Sequence, residues 1–172
     1  MSTITYGIAK IEYAAIPNDG AVPTTGWATL GKTKEGTGKL DMADGTSTEF
    51  RVEEDVQPLK IITTPGAITV SFEVADADID KMPILFGGTV ASSGTNPVVK
   101  TWNMPASPLN PEFALKVTTL EGYTIIVPRG QFAPKLAGDL SRTGLLGTPV
   151  VVTALAPKKE GVGPIQLIQS VT

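Results

Sequence analysis

Polar and apolar residues alternate with a period of two over much of this chain, the spacing that sends successive side chains to opposite faces of a β-strand. The cleanest run spans residues 67–75, where Ile68, Val70, Phe72 and Val74 alternate with Ala67, Thr69, Ser71 and Glu73. Shorter runs predict strands over 4–13, 27–30, 39–43, 46–54, 59–64, 97–102, 112–120, 123–128, 150–156 and 165–171. In the run 46–54, Thr48, Phe50 and Val52 point one way, toward a core. Glu49, Arg51 and Glu53 point the other, toward solvent. Asp44-Gly45 and Pro65-Gly66 sit between strand runs and predict tight reversals, the first a type I′ hairpin and the second a turn with Pro and Gly at its central positions. Segments 14–25, 103–111 and 131–149 lack a clear period and read as long loops.

One helix is expected, near residues 76–87. Pro83 cannot occupy a helix interior, so the helix is read as starting at an Asp80 N-cap, which leaves Pro83 in the first turn where a missing N–H costs little. Ile84, Leu85 and Phe86 then pack inward and Gly87 or Gly88 ends the element. Asp76 and Asp78 are assigned to capping a separate preceding turn. The fold class that follows is mainly β, an antiparallel β-sandwich or rolled β-barrel with one short flanking helix. At 172 residues, with no separating linker and no internal repeat, residues 1–172 read as a single domain.

Composition narrows the chemistry. Eighteen glycines and fourteen prolines punctuate the strands, while histidine and cysteine are both absent. Without them there is no disulfide, no thiolate metal site, no thiol nucleophile and no imidazole base, which excludes a serine or cysteine triad. A net charge of -3 leaves no basic stripe for a phosphate backbone, so specific nucleic-acid binding is not expected. The first six residues have neither a basic nor a continuous apolar character, and no stretch reaches the length of a membrane span. A soluble protein made in a cytoplasm, with no membrane partner, is therefore expected.

Three local patterns invite a site and fail. Asp76, Asp78 and Asp80 alternate like the start of a calcium loop, but Lys81 and Phe86 stand near the places where Gly and a bidentate Glu are needed. Glu53, Glu54 and Asp55 could offer paired carboxylates, yet nothing fixes their separation or raises one pKa. Gly31-Lys32-Thr33 is similar to the tail of a phosphate loop, but the upstream Gly26 is read as standing at the wrong offset and no helix follows. Trp27, Trp102, Tyr6, Tyr13 and Tyr123 are either core anchors or the platform of a sugar-binding module. No catalytic residue, metal or cofactor is expected, and the chain reads as a non-enzyme.

The order of parts resembles the bacteriophage major tail tube proteins, relatives of the type VI secretion and contractile-injection tubes. The resemblance rests on the N-terminal strand, Trp27-Ala28-Thr29-Leu30-Gly31, and the charged hairpin with Thr46-Ser47-Thr48-Glu49-Phe50. It continues through strand 67–75, the Asp-rich helix ending Leu85-Phe86-Gly87-Gly88, Tyr123-Thr124-Ile125-Ile126-Val127-Pro128, and Val150-Val151-Val152-Thr153-Ala154-Leu155. It implies hexameric rings that stack into a tube, with the chain itself and other tail proteins as partners. It also implies DNA passing without specific binding, and a place in the virion tail after assembly in the host cytoplasm. Glu49, Arg51 and Glu53 then face lumen or solvent, and loops 14–25 and 131–149 reach neighbouring copies. The alternative is a monomeric β-sandwich module that binds carbohydrate or belongs to an adhesin.

Overall fold

The computed structural model describes residues 6–76, 78–107, 109–138 and 146–169. The strands are β1 (Ile8–Ala14), β2 (Ala28–Thr29), β3 (Lys39–Met42), β4 (Thr46–Phe50), β5 (Lys60–Thr64), β6 (Ile68–Val74), β7 (Thr89–Ser93), β8 (Val99–Asn103), β9 (Glu112–Thr119), β10 (Tyr123–Pro134), β11 (Ala137–Gly138), β12 (Leu146–Ala154) and β13 (Gln166–Gln169). One short helix, α1 (Met82–Phe86), follows a 3-10 turn at Ile79–Lys81. The protein is mainly β, as the two-residue alternation predicts.

Nine strands make one antiparallel sheet, ordered β2-β1-β9-β10-β12-β6-β3, with β11 on β12 and β13 on β10. Strand β10 is long enough to serve two partners along one edge, β13 at residues 123–126 and β12 at 130–134, while β9 takes its other edge. The sheet rolls back toward itself through the segment after β2. There Leu30 N–H donates to the Ile11 carbonyl at 3.1 Å, and Lys34 N–H donates to the Glu73 carbonyl at 2.8 Å. Among the described residues the strand pairing between this segment and β6 is an isolated bridge, Thr33 to Val74, so the sheet is sandwich-like and does not close as a barrel.

Inside the roll lie Ile11, Leu30, Val70, Phe72, Leu115, Val127, Phe132, Val150 and Val152. The inward residues of 67–75 are the expected ones, with Val70, Phe72 and Val74 buried. Phe113 stacks edge-to-face on both Tyr13 and Phe132, at 5.4 and 5.7 Å between ring centroids, which locks β1, β9 and β10 together. Helix α1 drives Met82, Leu85 and Phe86 into the same core. Trp102 on β8 leans on Phe86 and donates its indole N–H to the Gly87 carbonyl at 2.9 Å, which fixes the helix exit.

Several expectations are corrected. Neither Asp44-Gly45 nor Pro65-Gly66 reverses the chain, and neither glycine has positive φ. Instead they face each other across one long ribbon, in which β3 runs into β4 and β5 runs into β6. The register never slips: Lys39 lies opposite Ser71, Met42 opposite Ile68, Thr46 opposite Thr64 and Phe50 opposite Lys60. Here glycine serves close approach, because a Cβ on Gly45 would stand 2.6 Å from the Thr64 carbonyl oxygen, and one on Gly66 would collide with that of Ala43. The true reversal is the tip, 51–59.

Asp80 is not the helix cap. Asp78 caps the preceding 3-10 turn, its side chain accepting from Asp80 N–H at 3.1 Å, and Lys81 holds the N-cap position of α1 without a side-chain bond. Pro83 does sit in the first turn. Of the proposed 131–149 loop, residues 131–134 extend β10 and 146–149 open β12, while 139–145 lie outside the described residues. Strand β7 was not anticipated, because Thr89-Val90-Ala91-Ser92-Ser93 is too small and polar to show an apolar face.

Two outcomes follow. Gly66→Val lowers stability by about 2 kcal/mol or more, since backbone on both strands must move; urea denaturation reads it. Thr148 is fully buried and its hydroxyl has no partner among the described residues. Thr148→Val therefore raises stability by about 1 kcal/mol, visible as a higher Tm.

Candidate functional site

None of the patterns that invite a chemical site is assembled by the fold. Asp76 accepts from Lys32 N–H at 2.7 Å, Asp78 caps the 3-10 turn, and Asp80 pairs with Lys100. Each carboxylate thus has its own structural task, and no group of acidic side chains among the described residues could hold a metal. Gly26 in fact completes the phosphate-loop spacing with Gly31-Lys32-Thr33, but the segment is extended and Thr33 bridges β6, so no helix N-terminus stands behind it. The aromatics are dispersed rather than aligned. Trp27 lies under the Lys116 ammonium at 4.7 Å, Trp102 covers α1, and Tyr13 belongs to the ring stack.

Around Trp27 the β1–β9 surface holds a compact charge cluster. Glu12, nearly buried, accepts from Lys10 at 2.6 Å and from Lys116 at 2.7 Å. Burial pushes the Glu12 carboxyl up, but the hydrogen bonds and charges of the two lysines outweigh it and leave its pKa below the ordinary value of 4.5. A second clasp is the two-pronged Arg129–Glu112 pair, at 2.8 and 3.0 Å, with Arg129 also donating to the Ala156 carbonyl at 3.1 Å. Both clusters bind strand to strand. Lys10 also lines a cavity of about 490 Å³ beside β1.

What the molecule does offer is the overhanging half of the ribbon. Strands β4 and β5 pair only with each other, and all ten of their residues are exposed. Because the register is unbroken, even-numbered residues stay on the face that carries Val70 and Phe72 in the core. Leu40, Met42, Phe50 and Ile62 extend that face outward into solvent; Met42 is 58% and Phe50 51% exposed. Phe50 and Val52, expected in the core from their alternation, are therefore on the surface. The odd-numbered face carries paired charges, Lys39 with Asp41 and Arg51 with Glu49 at 2.5 Å, beside the exposed Ile61. Glu49, Arg51 and Glu53 are all exposed. The sequence signal for this surface was present in the parity of residues 40–62, hidden by two dipeptides that read as turns.

A lone two-stranded ribbon is marginal in water, and an apolar stripe along it is a surface awaiting a partner. A family model described as phage tail tube protein matches residues 8–164, nearly the whole chain. The chain belongs to the phage tail tube protein family. Among curated proteins none matches it. Membership supports a structural tail tube subunit located in the virion tail, and the family implies a non-enzymatic role. For a tail tube subunit, the overhanging ribbon is the candidate assembly surface.

The Glu12 clasp yields a pH prediction. A carboxylate with a depressed folded pKa contributes stability that is present above its unfolded value and lost as pH falls through the folded one. Stability should therefore decline below pH 4.5, and Glu12→Gln should flatten that acid limb while lowering stability at neutral pH. Urea midpoints measured at a series of pH values check both.

Proposed function

We propose that six copies of this chain form a ring, that rings stack into a tube, and that DNA passes along its lumen. The observation that carries this reading is the ribbon: its core-facing stripe continues past the body, and no element among the described residues covers it. A ring of identical copies covers such surfaces and resolves the free edges of the small two-stranded sheets. The partners are other copies and the remaining tail proteins, and assembly takes place in the host cytoplasm.

Passage of DNA asks for a wall that does not hold phosphate. The overall charge of -3 and the paired charges of the odd-numbered ribbon face meet that need. Glu49, Arg51 and Glu53 then belong to the surface turned to the lumen or to solvent.

Concentrated protein viewed by negative-stain electron microscopy, with particle mass measured in parallel, should show sixfold rings and stacked tubes. Protein that stays monomeric at every concentration overturns the reading. The double variant Phe50→Ser with Ile62→Ser alters exposed positions only; it should keep the native far-UV circular dichroism spectrum and shift the population toward monomer.

A further inference from the structure

We propose that Met42 is a redox-sensitive modification site, whose oxidation to the sulfoxide by a peroxide blocks the joining of copies, a regulation that rests on the self-assembly reading above. The chain has no cysteine, so methionine thioethers are its oxidisable sulfur. Of the four methionines, Met1 lies outside the described residues, and Met82 in α1 is closed into the core at 5% exposure. Met42 and Met104 are open to a dissolved oxidant, at 58% and 56%.

Position separates these two. Met42 ends β3 directly opposite Ile68 and two residues from Leu40, on the even-numbered face of the ribbon, so its side chain belongs to the apolar stripe that continues the core. Met104 follows β8, whose hairpin with β7 is a sheet separate from the ribbon. Oxidation at Met42 therefore alters the surface on which copies are read to meet. Oxidation at Met104 leaves that stripe unchanged.

The peroxide transfers one oxygen atom to the Met42 sulfur: the S–O bond forms as the O–O bond breaks, sulfur gives up two electrons, and hydrogen peroxide is reduced to water. A flexible apolar side chain becomes a polar one of nearly the same length. In the free subunit, water hydrogen-bonds the new oxygen at this exposed position, and the fold is not disturbed. Against the apolar surface of another copy that water is lost, and an unpaired polar oxygen is costly to bury. The modification thus acts on the assembled state and spares the free one. Two thiols working through a sulfoxide reductase remove the oxygen as water and become a disulfide, which makes the change reversible.

Dilute native protein is treated with hydrogen peroxide, quenched with free methionine, and concentrated to tube-forming conditions. Peptide mass spectrometry locates the sulfoxide, and sedimentation with negative-stain microscopy measures tube yield. Tube yield should fall several-fold as Met42 is oxidised, with the far-UV circular dichroism spectrum unchanged. Met42→Leu should assemble and resist peroxide, whereas Met104→Leu should be as sensitive as the native chain. Equal sensitivity of Met42→Leu and the native protein overturns the proposal, as does a full tube yield from native protein oxidised at Met42. If Met42→Leu fails to assemble, the reductase decides: tubes regained after reduction of the oxidised native protein uphold the site, and no recovery overturns it. Untreated native protein that never assembles overturns the ring reading together with this one, whereas untreated and oxidised protein that assemble equally well overturn this one alone.

Discussion

Residues 39–50 and 60–71 pair in a single register, and that constraint sets both the shape and the surface of this molecule. Side chains on a strand alternate with a period of two, so a pair that never slips cannot exchange its faces. The inner half of the ribbon is fixed by Val70 and Phe72, which must lie in the core. The outer half inherits that orientation, and so Phe50 and Ile62 reach solvent as an extension of the core. An apolar surface in that position is a by-product of folding correctly. It becomes useful only when copies meet.

The body behaves as a rigid mount for this arm. Its sheet is held by side chains that tie strands together: the ring stack of Tyr13, Phe113 and Phe132 joins β1, β9 and β10, and the Lys10–Glu12–Lys116 cluster joins β1 and β9. Many charges are consumed locally, in pairs, including Lys34 with Glu73 and Lys39 with Asp41 beside the ribbon root.

Much of the sheet was legible because alternation is a local signal. Residues 67–75 read correctly, as did the placement of Pro83 in the first turn of a short helix. The ribbon did not, because Asp-Gly and Pro-Gly carry the same letters whether they turn a chain or let two backbones approach; only the partner strand decides. Asp80 was misread for a related reason. Three aspartates in alternation can each cap, and the choice of Asp78 depends on a 3-10 turn and on Lys100, twenty residues away. The assembly surface was readable only after the register was known, since exposure of Phe50 is a tertiary fact. Strand β7, with Val90 flanked by Thr, Ala and Ser, owes its existence to pairing with β8.

The two facing glycines have a mechanical consequence. Between the inner and outer ladders, residues 43–45 and 65–67 are joined by one backbone hydrogen bond, Ala43 N–H to the Ala67 carbonyl at 2.9 Å. A bending load on the arm is concentrated at this joint, while the ladders on either side keep their bonds. A tube built through such arms can curve by small rotations shared among many joints, much as a chain of short rigid links follows a bend that no single link could make.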